Sequence, residues 1–275
     1  MECGFVQVSE VRFELVMYCN YLSMPIAPKC DATFDALKAL HPQSMSPVDE
    51  PIDPIHVATV FTDDDVRKAL NSFPPTSAAG LFGYRPSLMQ QCVRAESFYF
   101  LSTLRRAVNL LASGEAPCSH FSRAVCLTKD ATAVRPLCCG DPLRRLVAKC
   151  FCLGQTEISD VFRGKNFGVG CPGGVEVVAH SLRDVLSKHK NSPDLALLKI
   201  DFKNAFNLMD RNVSSVPLPS YFPGLERWTR WCYTQPPLDH SKLFESMRGV
   251  QQGDPHGALV FLLRLAESGG SYRCA

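Results

Sequence analysis

The sequence predicts an α+β fold. Two observations lead there. Amphipathic stretches with helical spacing, such as "ESFYFLSTLRRAVNLLASG" and "VEVVAHSLRDVLSKHK", share the chain with short apolar runs of strand type, "RAVCLTKD", "AVRPLCC" and "LALLKIDF". These patterns do not alternate as regular βαβ units, which speaks against a doubly wound sheet. With 275 residues and 46% hydrophobic content, the chain can bury a substantial core.

Each element has a local cause. Residues 1–60 form a poorly defined N-terminal region and linker. They hold a short helical pattern, "DATFDALKAL", and then "HPQSMSPVDEPIDPIH", rich in proline and acid. In "FTDDDVRKALNSF", Thr62 is placed to cap a helix whose first turn carries Asp63, Asp64 and Asp65; this acidic run reads as a solvated helix start. "PPTSAAGLFGYRPS" is a loop leading to a short helix from Pro86. The longer helix after it stops at Gly114. "RAVCLTKD" and "AVRPLCC" form a β-hairpin around "KDAT". "DPLRRLVAKCFCLGQTEISDVF" is helical, and "GVGCPGG" is a loop before another amphipathic helix. "LALLKIDF" is a buried strand, "NAFNLMD" a short helix, "GLERWTRWCYT" a helix, "KLFESMRGV" extended chain and "DPHGALVFLLRLAE" a last helix.

Composition narrows the classes. Lys and Arg number 29 against 27 Asp and Glu, a formal net charge of +2, which neither demands nor excludes nucleic acid. The 13 cysteines include no CxxC pair, so a structural zinc site is poorly supported. They read as reduced thiols of an intracellular protein, in cytoplasm or nucleus. The N-terminus has no basic region before its apolar residues, so no signal peptide is expected, and no apolar run is long enough to span a bilayer. Gly168, Gly170 and Gly173 make GxGxxG by count. No clear strand precedes them and Pro172 removes an N–H, so a dinucleotide site is not the reading.

The strand "LALLKID" carries a carboxylate, Asp201, to its end. A buried carboxylate needs a partner or a metal. By itself Asp201 reads equally as a metal ligand or as the cap of the helix that follows. Phe206 by itself reads as core, and Lys129 and Arg135 as a solvated hairpin pair.

Taken together, "KIDFKNAF" and "RGVQQGDPHGALVF" resemble motifs A and B of reverse transcriptases from non-LTR-type retroelements. The resemblance extends upstream through "SAAGLFGYRP", "LTKDATAVRPL", "PLRRLVAKC" and "FGVGCPGGVEVVAHSLRDVL", in the family's order. It implies a right-hand fold. Residues 61–190 would be a fingers-like region, 191–268 a partial palm with motifs A and B, and 269–275 a tail outside the family pattern. It implies RNA or primer-template and deoxynucleoside triphosphates as partners, and Mg²⁺ as cofactor. Nucleotidyl transfer uses two such ions roughly 3.5–4 Å apart on hard oxygen ligands. Asp201 would be the catalytic metal ligand, Lys129 and Arg135 would neutralise the triphosphate, Phe206 would exclude a 2′-hydroxyl, and Gln252 and Gly253 would line the nucleotide pocket.

The family's motif C, an aromatic-x-Asp-Asp hairpin, has no counterpart here; no aspartate follows Asp254. The thumb has none either. The expectation is a truncated, inactive reverse-transcriptase domain; the alternatives are a non-catalytic module holding nucleic acid through Lys129, Arg135, Arg144 and Arg145, or a pseudogene product without a role. Lacking the motif C hairpin, "LALLKIDF" is expected to keep unpaired edges and an uncovered apolar face, leaving the chain marginally stable.

Overall fold

A computed structural model describes residues 2–6, 25–41, 57–80, 82–95, 98–116, 122–128, 133–154, 161–162, 166–169, 171–190, 192, 197–209, 222–233 and 248–269. Helices and two small antiparallel sheets are mixed, an α+β architecture. The chain packs as two compact units, Met1–Met24 with Thr156–Ala205, and Pro25–Gln155 with Phe206–Ala275.

The larger unit, Pro25–Gln155 with Phe206–Ala275, is mainly helical. Its elements are α1 (Asp31–Ala39), α2 (Asp63–Asn71), α3 (Pro86–Arg94), α4 (Phe98–Ala112), the hairpin β2 (Ser122–Thr128) and β3 (Val134–Gly140), and α5 (Pro142–Gly154). A short 3-10 turn (Pro223–Leu225) then leads into α8 (Glu226–Tyr233), and α9 (Pro255–Gly269) closes the unit. Helix α2 begins as its sequence dictates. Thr62 accepts from the Asp65 N–H while Asp65 reaches back to the Thr62 N–H, a reciprocal cap that uses one of the three aspartates. Asp63 pairs with Arg105 at 2.7 Å. The triad is thus a helix start, as the sequence suggested.

Helix α5 is the hub of the unit, packed by α2, α4 and α9. Its Leu146, Val147, Ala148 and Phe151 are fully buried beside Val66, Leu70, Val108, Leu225, Trp228, Leu259 and Leu263. Phe61 meets Phe151 edge-on at 4.9 Å, and Trp228 stacks on Trp231 at 5.1 Å. Polar side chains tie up loop backbone. Asn109 both accepts from and donates to Phe61, and Gln90 donates to the Leu70 carbonyl in the last turn of α2 and to the Phe73 carbonyl just beyond it. Residues 25–27 add a bridge to the edge of β2, with the Ala27 N–H donating to Cys126 and the Thr128 N–H to Pro25.

The smaller unit, Met1–Met24 with Thr156–Ala205, holds β1 (Glu2–Val6), α6 (Gly174–Lys188) and β4 (Leu197–Asp201). Helix α7 (Ala205–Leu208) follows β4 across the boundary between the units. Gly174 is required at the start of α6, because a Cβ there would lie 1.8 Å from the Phe167 carbonyl oxygen. The β4 edge departs from expectation. Rather than standing unpaired, it pairs antiparallel with β1 in a register running from Glu2↔Asp201 to Val6↔Leu197. The partner comes from the N-terminal segment that looked least informative in sequence. The uncovered apolar surface is present nonetheless. Val175, Val177, Val178 and Val185 on α6 are 40–44% exposed, and Ile200 and Phe202 are exposed as well.

Candidate functional site

The residues singled out by the sequence resemblance distribute over the two units. Asp201 is the last residue of β4, in the smaller unit. Phe206, Gln252 and Gly253 belong to the larger one. Between them Asn204 takes φ 52, the left-handed conformation that asparagine tolerates better than other non-glycine residues. Lys129 lies outside the described residues. Arg135 sits half-buried on β3 opposite Leu127.

Within the larger unit the segment 206–209 is stitched to the segment 249–250. The Val250 N–H donates to the Phe206 carbonyl and the Gly249 N–H to the Met209 carbonyl, both at 2.7 Å. Gly249 has φ +69, and a Cβ there would fall 2.0 Å from the Phe206 oxygen, so only glycine fits the crossing. The Phe206 ring stacks on Phe261 of α9, centroids 4.9 Å apart. The chain then turns: the Asp254 N–H donates to Gln251 at 3.2 Å and Gly253 adopts φ +110. The turn presents Gln252 half-buried and Gly253 exposed.

A buried polar cluster holds this turn from below. The Asp254 carboxylate accepts from Arg144 Nη2 at 3.1 Å and the Tyr233 hydroxyl at 3.2 Å, and its other oxygen accepts from the His256 N–H at 3.1 Å. The Tyr233 hydroxyl also accepts from the Gln251 N–H at 3.5 Å. Both charged side chains are nearly inaccessible, 4% for Arg144 and 3% for Asp254. Burial alone would pull the Arg144 guanidinium down, but Cys232, Asp254 and Tyr233 around it hold it above its ordinary value. The guanidinium lies over the Tyr233 ring, 5.4 Å from its centroid.

His256 is fully buried on α9. The Thr229 hydroxyl donates to Leu225, so its oxygen is left to accept from His256 Nε2 at 3.0 Å. The imidazole is therefore the neutral Nε2–H tautomer. Burial pushes it down to about 4, and the Arg144 charge adds to that while Asp254 opposes it.

Two of the four cations expected on a nucleic-acid face are committed inside the fold, which corrects that expectation. Arg144 pairs with Asp254. Arg145 donates to the Ala78 carbonyl and lies over the Phe73 ring. Both sit on the apolar side of α5 with Val147, Ala148 and Phe151, at spacings of three, four and seven residues from Arg144. That helical spacing is the signal by which their burial, and the need for a partner such as Asp254, was readable.

Among the described residues no group of three or more His, Cys, Asp or Glu side chains is placed to hold an ion. The sheet register sets Glu2 opposite Asp201. No helix among the described residues is long and apolar enough to cross a membrane. The chain has no match among protein-family models and none among curated proteins.

Proposed function

We propose that the chain is the fingers and partial palm of a reverse-transcriptase domain descended from a non-LTR-type retroelement, and that by itself it holds RNA or primer-template without extending it. The observation that carries this reading is the joint between Phe206 and Val250, with Phe206 stacked on Phe261. A polymerase of this kind builds its nucleotide pocket from motif A and motif B, and here the tail of one is hydrogen-bonded to the other within one packed unit. The hairpin of β2 and β3, bearing Arg135, supports the reading further, because a guanidinium fork suits phosphate.

In this reading Arg135 and Lys129 meet phosphates, the Gln252–Gly253 turn faces the base or sugar, and Phe206 closes the pocket floor. Asp201 is the one motif carboxylate in hand. Magnesium, held in part by Asp201, would supply charge stabilisation at the reacting oxygens in a complete enzyme.

A primer-extension assay with Mg²⁺ or Mn²⁺ is the test. The expected result is no extended product, together with RNA binding that weakens steeply as salt is raised, since phosphate contacts release counterions. Robust extension that Asp201→Ala abolishes would overturn the inactive half of the reading. Binding indifferent to salt would overturn the nucleic-acid half.

A further inference from the structure

The turn that carries Gln252 is held on three sides by buried groups. On the first, a Cβ at Gly249 would strike the Phe206 carbonyl oxygen. On the second, Gly257 in the first turn of α9 is pressed so close that a Cβ there would lie 2.9 Å from the Gln251 carbonyl oxygen. On the third, the Tyr233 hydroxyl joins the two feet of the turn. It accepts from the Gln251 N–H at 3.5 Å and donates to the Asp254 carboxylate at 3.2 Å. The turn's own closing hydrogen bond, from the Asp254 N–H to the Gln251 carbonyl, spans the same two residues.

Burial divides this region in two. Gly249, Val250, Asp254 and Gly257 are buried with Tyr233, while Gln252 is half-buried and Gly253 exposed. A glutamine amide offers both a donor and an acceptor. So long a side chain meets a ligand at low entropic cost only when the backbone beneath it is fixed. Tyr233, 5% exposed, is too deeply buried to meet that ligand itself and acts on it through the backbone.

We propose that Tyr233 is a positioning residue for the nucleic acid that lies on Gln252, its hydroxyl fixing both ends of the turn. This inference rests on the nucleic-acid reading above and names a residue outside the resemblance that sets affinity at the site. The Tyr233 ring has a separate role, 5.4 Å from the Arg144 guanidinium and 6.2 Å from the His256 ring. Tyr233→Phe therefore removes the hydroxyl and keeps the packing.

The test uses the full chain, fluorescein-labelled RNA, the variants Tyr233→Phe and Gln252→Ala, and the two combined. Each single change should weaken binding about fivefold, the scale of one lost hydrogen bond. The double variant should also lose only about fivefold, because the first change acts through the residue that the second removes. The slope of affinity against salt should stay that of the parent chain, since neither side chain meets a phosphate. Losses that multiply to about twenty-fivefold would overturn the positioning role. So would a Tyr233→Phe chain that binds like the parent, or one in which fewer chains bind with affinity unchanged, the mark of lost folding alone. Gln252→Ala binding like the parent would remove the turn as a contact and overturn the inference while leaving the nucleic-acid reading in place. Absence of salt-dependent binding in the parent chain would overturn both.

Discussion

The two units differ in how their apolar side chains are spent. In the larger unit the hydrophobic faces of α2, α4, α5, α8 and α9 converge, and even large side chains such as Trp228, Phe151 and Phe222 reach full or nearly full burial. In the smaller unit the valines of α6 stay 40–44% exposed and β4 has one strand beside it. Among its described residues the unit bearing Asp201 buries Phe162 but leaves these apolar side chains exposed, while the unit bearing Gln252 and Gly253 holds a buried ion pair. Substitutions in the described core of the larger unit should therefore have the larger effects.

The sharpest way to break that contrast is to remove one partner of the buried pair. Asp254→Ala leaves Arg144 charged and desolvated, and should cost about 3–5 kcal/mol in urea unfolding. Replacing both, as Arg144→Met with Asp254→Leu, should recover most of that loss, because the desolvation cost disappears with the charges. A single variant as stable as the parent would mean the pair contributes nothing.

A smaller effect is expected from acid. His256 is held at about 4 in the folded chain against an ordinary 6.5. Above pH 6.5 both states are neutral and stability is unaffected. As pH falls from 6.5 toward 4 the unfolded chain takes up a proton that the folded chain refuses, so stability is lost, by at most about 3 kcal/mol. Unfolding curves across this window should show that slope, and His256→Gln should reduce it.

The smallest effect belongs to the other unit. Val177→Lys or Val178→Lys, on the exposed face of α6, should change global stability by less than about 0.5 kcal/mol. Val66→Ala, in the larger core, should cost about 2 kcal/mol. Equal costs at the two places would erase the contrast between the units.

Helix positions were legible because their causes are local. Thr62 three residues before Asp65, Pro86 at a helix start and Gly114 at φ +75 each carry a boundary in themselves. The hairpin and the β4 strand were legible from short apolar runs. The β1–β4 pairing was not, because Glu2–Val6 and Leu197–Asp201 are distant in sequence and nothing in either run names the other. The spacing of Arg144 with Val147, Ala148 and Phe151 signals a buried face, but that Asp254 is the partner needed the fold, because the two lie 110 residues apart. Phe206 was readable as an aromatic at a family position, but its stacking on Phe261 and the glycine-only crossing at Gly249 required the fold.

Arg144 and Asp254 stand 110 residues apart. At roughly 5–20 residues per second, the guanidinium emerges from a ribosome on the order of 10 s before the carboxylate that neutralises it. Trp231 and Ala116 are 115 residues apart and face the same delay. Until α9 is made, the newborn chain therefore carries its central helix without the partner of its buried guanidinium.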